Sequence, residues 1–193
     1  CSMHGWVFPN GEVISLKPCE MLISRSQRDT HFDYHGAAIH WRPSGELHQQ
    51  MSDAVIRAGE LLTSRYQYRG VFTIDGIATD EGFYPTELNP RFGGALGRMS
   101  AALPDLPILM MHCATIEGYS LGVTPRELRE LIISAADERS VIRGMIELNE
   151  RCIKPQSAHF KQTRDRAWVR CGEHEGHQAR ADWGIALKGS LVF

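Results

Sequence analysis

The sequence lacks several features that would each assign it to a broad functional class. Its 193 residues include 21 Lys and Arg against 23 Asp and Glu, so neither sign of charge dominates and the net charge is −2. Nucleic-acid-binding domains concentrate positive charge, so this balance gives no reason to expect a nucleic acid as partner. No apolar run approaches the roughly 20 residues of a transmembrane helix, so we expect no membrane partner.

Cysteine is scarce and scattered. Five cysteines occur, an odd number, and none of them forms a Cys-x-x-Cys pair: Cys1, Cys19, Cys113, Cys152 and Cys171. This pattern indicates reduced thiols and predicts a cytoplasmic protein. The sequence begins at Cys1 instead of Met and opens directly on strand-like residues, without a signal-peptide pattern. We therefore expect an N-terminal part outside this sequence.

The hydrophobic pattern predicts an α+β fold, with an antiparallel sheet and packed helices. Pro9-Asn10-Gly11 indicates a hairpin turn inside a β region at residues 1–25, and residues 46–65 have the apolar spacing of an amphipathic helix. Residues 27–45 have no clean period and are predicted to form a loop. Two strands, 71–78 and 83–89, and a helix at 107–117 complete a first domain.

The remaining residues predict a small helical and β C-terminal domain. Thr124-Pro125-Arg126-Glu127 has the residues of a helix start with a capping box. A second helix is predicted near 141–148, followed by strand-like stretches at 158–170 and 183–193. With a soft boundary at 118–123, the two predicted domains are residues 1–120 and 121–193.

The hairpin between residues 70 and 91 carries the most informative chemistry. Asp80-Glu81-Gly82 fits a three-residue hairpin loop, which sets the register of the two strands. That register pairs Asp75 with Glu87, Ile74 with Leu88, and Thr73 with Asn89. An apolar face is then predicted for Phe72, Ile74, Tyr84 and Leu88, and a polar face for Asp75, Glu87 and Asn89.

The polar face has the donor set of a divalent cation site. Facing side chains of an antiparallel pair are about 4.5–5.5 Å apart, where two carboxylates repel unless a cation, a proton or solvent intervenes. Two carboxylates and one amide suit Mg²⁺, with Mn²⁺ as an alternative ion, and Arg91 can form forked contacts with a phosphate or carboxylate. Gly93 and Gly94 let the backbone approach a ligand closely. The alternative is that these side chains are only the solvated face of a hairpin.

Residues 70–94 also resemble a known family. The run Glu-Leu-Asn-Pro-Arg-Phe-Gly-Gly at 87–94, with an Asp on the preceding strand, looks like the C-terminal half of the ATP-grasp domain of carboxylate–amine ligases. The resemblance covers about residues 1–118. The opening residues and the tail beyond 120 look most like the pheganomycin-type peptide ligases, which join a carboxylate to the amine of a peptide.

This resemblance implies a function and a set of site residues. Asp75, Glu87 and Asn89 would be the metal ligands, and Glu87, Asn89, Arg91 and Gly93 would contact ATP. Arg91 would be the catalytic residue, because it contacts phosphate or the acyl-phosphate intermediate. The expected cofactors are ATP and Mg²⁺, and the expected partners are small-molecule or peptide carboxylates and amines. A homodimer is an open alternative, and Lys17 is not identifiable as a nucleotide-clamping lysine.

Two weaker patterns and two other functions stay open. His31, His35 and His40 lie in the predicted loop and could line the acceptor side of a site, while Cys171, His174 and His177 have a zinc-like spacing but lack a fourth ligand. The alternatives to a ligase are a non-catalytic nucleotide-binding or assembly module, and another ATP-grasp enzyme, such as a carboxylase or a D-alanine-ligase-like enzyme.

Overall fold

The computed structural model describes residues 1–25, 32–39, 41–138, 142–144, 159–162 and 168–171. These residues form a mixed α+β structure of helices and antiparallel strands, which confirms the α+β class, whereas the ATP-grasp subdomain and the small C-terminal domain stay predictions. The chain has two compact units. The first comprises residues 1–20 and 39–141, and the second comprises the described residues among 21–38 and 142–193.

The described elements follow one another along the chain in this order. The strands are β1 (Ser2–Val7), β2 (Val13–Arg25), β3 (Phe32–Ala38), β4 (Gly70–Thr79), β5 (Gly82–Asn89), β6 (Ile142–Gly144), β7 (His159–Gln162) and β8 (Trp168–Cys171). The helices are α1 (Gly45–Tyr66), α2 (Gly94–Ala102), α3 (Ile108–Ile116) and α4 (Pro125–Glu138). The predictions of α1, α3 and α4 are confirmed, whereas α2 was not predicted.

The sheet of the first unit has the strand order β5-β4-β1-β2. β1 and β2 form the predicted hairpin, in which Val7 pairs with Val13 and Gly11 has a φ of 85°. The other edge of β1 pairs with β4 along its whole length, from Ser2 opposite Asp75 to Val7 opposite Gly70. This pairing brings the first residues of the chain beside the predicted site hairpin.

Helix α1 covers one face of this sheet and builds the main core. It begins at Ser44, whose side chain accepts a hydrogen bond from the backbone N–H of Leu47 at 3.3 Å, as expected of an N-cap serine. Its buried side chains pack against those of β1 and β4. The core cluster is Met3, Val7, Met51, Val55, Leu62, Phe72 and Ile74, with Phe83 packed against it.

The turn between β4 and β5 differs from the predicted one. Thr79 pairs with Gly82, so the loop has two residues instead of the predicted three. Gly76 pairs with Pro85 and Asp75 pairs with Glu87, so Thr86 is an extra residue that forms a bulge in β5. Because of this bulge, the pairs from Asp75–Glu87 to Thr73–Asn89 have the predicted register.

This bulge also corrects the predicted apolar face. Tyr84 pairs with Ile77 and is exposed, so its assignment to the core face is wrong. Phe83 takes that place, since its ring lies over Gly76 and packs against the core cluster. Leu88 pairs with the buried Ile74 as predicted, but it is 44% exposed on the edge strand.

Helix α4 begins with the predicted capping box. The side chain of Thr124 accepts a hydrogen bond from the backbone N–H of Glu127 at 3.2 Å, and the carboxylate of Glu127 accepts one from the backbone N–H of Thr124 at 2.9 Å. The two side chains therefore satisfy each other's backbone groups, as the motif requires. α4 belongs to the first compact unit, and the predicted division into 1–120 and 121–193 stays a prediction.

Two predictions in the second unit are wrong where its residues are described. β3 replaces part of the loop predicted at 27–45, and β6 lies within the helix predicted near 141–148. These two short segments pair with each other from Gly36 opposite Gly144 to Ala38 opposite Ile142, so backbone pairing and not side-chain period determines their structure. β7 and β8 pair separately inside the stretch predicted as strand-like.

Among the helices of the described residues, none has both the length and the apolar character needed to cross a bilayer.

Candidate functional site

The structure brings together the three side chains predicted to bind metal. Asp75 lies opposite Glu87, and Thr73 lies opposite Asn89, in the register predicted from the sequence. The side-chain N–H of Asn89 donates to the Oδ2 of Asp75 at 3.0 Å, which joins the two rows. One face of the β4–β5 hairpin therefore holds two carboxylates and an amide, those of Asp75, Glu87 and Asn89.

Electrostatics at this cluster disfavours a second negative charge. Burial raises the pKa of the half-buried Asp75 carboxyl, and the neighbouring Glu87 raises that pKa further. The guanidinium of Arg91 and the hydrogen bond from Asn89 oppose this shift. A divalent cation placed between the carboxylates would reverse the repulsion, so the donor set fits the predicted ion.

The composition of the cluster limits which metals it suits. Within the part of the chain that the structure describes, no three His, Cys, Asp or Glu side chains come together as a metal site. The third donor here is the amide of Asn89, whose oxygen faces Arg91 while its N–H faces Asp75. Rotating that amide by half a turn would give three hard oxygen donors, which suit Mg²⁺ and leave positions for phosphate oxygens.

Arg91 lies immediately beyond the carboxylate pair. Its backbone N–H donates to the carbonyl of Asn89 at 2.8 Å, which turns the chain at the end of β5. Its guanidinium donates to the side-chain oxygen of Asn89 at 3.4 Å and is exposed. The remaining guanidinium N–H groups are therefore available to an anionic ligand beside the carboxylates.

Gly93, which was predicted to contact the nucleotide, is buried at the N-cap of α2. A Cβ atom there would lie 2.3 Å from the Nε2 of His4 and 2.5 Å from the Oγ1 of Thr73. Glycine is thus required for the close packing of the loop on β1 and β4. Whether Gly93 contacts a nucleotide stays a prediction.

The side chains beneath Gly93 were not recognised as part of the site from the sequence. His4 is 1% exposed, and among the described residues neither of its ring nitrogens has a hydrogen-bond partner, nor does the Oγ1 of Thr73. Burial lowers the pKa of His4 to about 4, with a smaller contribution from Arg91, so the ring is neutral at pH 7. His4 pairs with Thr73, which pairs with Asn89, so the three side chains form one row across the sheet.

A cavity of about 590 Å³ lies next to Arg91. Its lining includes two cationic side chains, Arg69 and Arg91, together with Tyr68, Phe92, His112 and Ile116. The His112 Nδ1 accepts a hydrogen bond from the backbone N–H of Val71 at 3.0 Å, which fixes the ring against β4. Sequence reasoning missed this cavity, because residues 67–69 and α3 come together only in the folded chain.

Other candidate groups pair with residues outside the hairpin or lie outside the described residues. The buried ammonium of Lys17 pairs with Asp137 of α4. His31 and His40 lie outside the described residues, as do His174 and His177 of the zinc-like motif. The predictions made for those histidines therefore stay untested.

Comparison with known proteins adds no family assignment. No protein-family model matches the chain, and no curated protein matches it. The resemblance to ATP-grasp ligases therefore rests on the sequence alone, chiefly on the motif at residues 70–94.

Proposed function

We propose that this chain carries the metal–phosphate end of an ATP- and Mg²⁺-dependent carboxylate–amine ligase that forms an amide or peptide bond. The proposal includes the predicted ATP-grasp fold, a carboxylate activated as an acyl phosphate, and an amino acid or peptide as the amine. It also includes a cytoplasmic location. The observation that carries it is the facing pair Asp75 and Glu87 at the predicted register, with Asn89 hydrogen-bonded to Asp75.

The pairing of two carboxylates is difficult to explain as a purely structural feature. Like charges directly opposite each other destabilise a strand pair, and Asp75 is half buried, which adds a desolvation cost. A solvated hairpin face would separate its acidic residues or pair them with lysine or arginine. The cost is understandable if the pair binds a cation during function.

The proposed reaction has two steps. The γ-phosphoryl group of ATP is transferred to an oxygen of the substrate carboxylate, which gives an acyl phosphate and releases ADP. The lone pair of an amine then attacks the acyl carbon, the bond from that carbon to the phosphate oxygen breaks, and the amine loses a proton. The products are an amide and inorganic phosphate.

The residues of the site fit the electrostatic demands of this reaction. Asp75, Glu87 and Asn89 would hold Mg²⁺, which neutralises the phosphates so that an anionic carboxylate can approach. Arg91 would donate hydrogen bonds to the transferred group, where negative charge is distributed over the phosphoryl oxygens. Removal of one preorganised donor of this kind typically raises the barrier by about 3–4 kcal/mol.

A non-catalytic nucleotide-binding module is the second candidate. The facing carboxylates and the amide of Asn89 are compatible with it, because holding a metal–nucleotide complex requires the same oxygen donors whether or not ATP is turned over. Such a module would bind metal and nucleotide without turning ATP over. The two candidates therefore differ in ADP formation and agree in metal binding.

The experiment measures Mn²⁺ binding to the 193-residue chain by electron paramagnetic resonance, followed by Mg²⁺-dependent ADP formation with a carboxylate and a peptide amine. We expect Glu87→Gln to weaken Mn²⁺ binding at least tenfold and to abolish ADP formation wherever the wild-type protein shows it. The matched control is Glu81→Gln, an exposed carboxylate in the turn of the same hairpin. Equal Mn²⁺ affinity in wild type and Glu87→Gln would remove the assignment.

A further inference from the structure

The cavity beside Arg91 has the chemistry of an anion site with an apolar wall. Among the described residues that line it, none is acidic, and two are arginines. None of the ion pairs in the described part of the chain involves Arg69 or Arg91. Phe92 and Ile116 supply apolar surface on the same lining. A carboxylate attached to an apolar group matches this combination.

His112 adds a directed hydrogen-bond donor to the cavity. Its Nδ1 accepts the backbone N–H of Val71, so the neutral ring carries its proton on Nε2. Burial lowers the pKa of His112, which favours the neutral ring at pH 7. The contact requires Gly70, because a Cβ there would lie 2.9 Å from the ring and φ is +106°. The ring is therefore held firmly against β4.

Arg91 lines the side of the cavity nearer to the carboxylate pair, whereas the end at His112 is too far from that pair to hold the reacting carboxylate. His112 contacts β4 at Val71, and Asp75 lies four residues further along the same strand. At roughly 3.3 Å per residue, the two levels are about 13 Å apart along the strand. A carboxylate anchored at Arg69 and His112 therefore cannot be the one phosphorylated at the metal. The distance of about 13 Å between the levels of His112 and Asp75 matches the length of an extended peptide of about four residues.

The positive charge of the arginines in the cavity determines whether this peptide would be the carboxylate substrate or the amine substrate. A peptide that donates its own C-terminal carboxylate to the reaction would place its cationic N-terminus in the cavity, where the arginines would repel it. A peptide that offers its N-terminal amine at the metal end would place its C-terminal carboxylate among the arginines. Only the second orientation is electrostatically complementary.

We infer that the cavity between α3 and the ends of β4 and β5 binds the C-terminal carboxylate of a short peptide that is the amine acceptor. The guanidinium of Arg69 and the Nε2–H of His112 hold the carboxylate, and Phe92 and Ile116 contact the apolar side chain of the last residue. The acceptor role rests on the proposed function, whereas the binding of a peptide carboxylate does not need metal or nucleotide.

The first test is calorimetry of the 193-residue chain with Ala-Ala-Ala-Phe and with its C-terminal amide, without metal or nucleotide. We expect the free acid to bind at least tenfold more tightly than the amide, and Arg69→Gln to remove this difference. Arg65→Gln is the matched control, because Arg65 is an exposed arginine outside the cavity lining. Equal binding of acid and amide, no binding of either, or an unchanged preference in Arg69→Gln would overturn the inference.

The second test determines the orientation of the peptide. With Mn²⁺ present, paramagnetic broadening should be strongest for the protons of the N-terminal alanine and weakest for those of the phenylalanine. The opposite gradient would overturn the acceptor assignment. Failure of Mn²⁺ to bind, with the acid-over-amide preference intact, would contradict the proposed function and the acceptor role but leave the carboxylate site standing.

Discussion

At the scale of single residues, the polar face of β4 and its neighbours contains two kinds of unfavourable group. Burial raises the pKa of the Asp75 carboxyl, and the facing carboxylate of Glu87 raises it further. His4 and Thr73 carry buried polar atoms that find no partner among the described residues. Both arrangements cost stability, and both lie within one or two strand positions of Asn89. Clusters of such costs are typical of functional sites.

The buried His4 predicts a specific loss of stability in acid. Its folded-state pKa of about 4 lies below the unfolded value of 6.5, so the unfolded chain binds the proton first as pH falls. Stability contributed by the neutral ring is present above pH 6.5 and is lost progressively down to pH 4. The full loss is about 3 kcal/mol, because each pKa unit between the folded and unfolded states corresponds to about 1.4 kcal/mol.

Urea unfolding at pH 7 and pH 4.5 tests this linkage. His4→Gln keeps a neutral side chain of similar size that does not titrate. Between pH 7 and pH 4.5, the wild type should therefore lose about 2–3 kcal/mol more unfolding free energy than this variant. Acidic residues titrate equally in both proteins and cancel in the comparison. Parallel loss of stability in the two proteins would show that His4 is not the neutral, buried group described here.

Gly93 provides a second test at a single position. Gly93→Ala should destabilise the protein by about 1–3 kcal/mol, because its Cβ would overlap the side chains of His4 and Thr73. Gly97→Ala is the control, since no atom lies within 4 Å of the new Cβ and the position is inside α2. That variant should gain about 0.5–1 kcal/mol in equilibrium unfolding. Equal effects of the two substitutions would contradict the close packing at Gly93.

At the scale of elements, α4 is fixed to the sheet by polar contacts in its middle and in its last turn. Arg129 donates to the backbone carbonyl of Ser15 at 2.8 Å, and Asp137 pairs with the buried Lys17. Arg42 also pairs with Asp137, which is partly exposed. Removal of the Asp137 charge therefore leaves Lys17 buried without an anion, whereas removal of Lys17 leaves Asp137 in contact with Arg42 and solvent.

This asymmetry predicts unequal effects of two substitutions. Asp137→Asn should cost about 3 kcal/mol, because it leaves the ammonium of Lys17 buried without its anion. Lys17→Met should cost less than about 1 kcal/mol, because Asp137 keeps Arg42 and solvent while the methionine fills the same space. Denaturant unfolding of both variants provides the comparison. If Lys17→Met destabilised the protein more than Asp137→Asn does, the claim that a buried, unpaired ammonium is the larger cost would be contradicted.

The elements also show how much the sequence could predict. The register that joins Asp75 to Glu87 was accessible, because a hairpin is local and its alternation is visible. The predicted turn length was wrong, because it is compensated by a bulge at Thr86, and Pro85-Thr86-Glu87 carries no sequence pattern that predicts an extra residue there. β3 was missed because its pairing partner β6 is more than 100 residues away in the sequence.

At the scale of the whole molecule, long-range pairing determines the site of the first unit. β1 is central in its sheet and contributes His4, while β5 is the last strand at one edge of that sheet, exposes Glu87 and is followed by the exposed Arg91. The sequence could predict the edge hairpin but not that β1 lies beside it, because residues 4 and 73 meet only through a non-local strand pair. For the same reason the cavity between α3 and β4 had no sequence signal.

Two helices pack on the sheet of the first unit. α1 covers one face, and α3 bonds to the sheet through Thr115, which accepts a hydrogen bond from the indole of Trp6, and through His112. Arg91 lies between the carboxylate pair and the cavity, whose His112 end is about 13 Å from Asp75 along β4. A substrate that used both would lie along this hairpin.

Metal binding by Asp75, Glu87 and Asn89 can be observed in a crystal structure of the chain grown with Mn²⁺ and ADP, with anomalous diffraction measured at the manganese absorption edge. We expect an anomalous peak about 2–2.4 Å from carboxylate oxygens of Asp75 and Glu87, with the side-chain oxygen of Asn89 turned towards it. A manganese peak elsewhere, with Asn89 still bonded to Asp75 through its N–H, would show that these residues do not form the metal site.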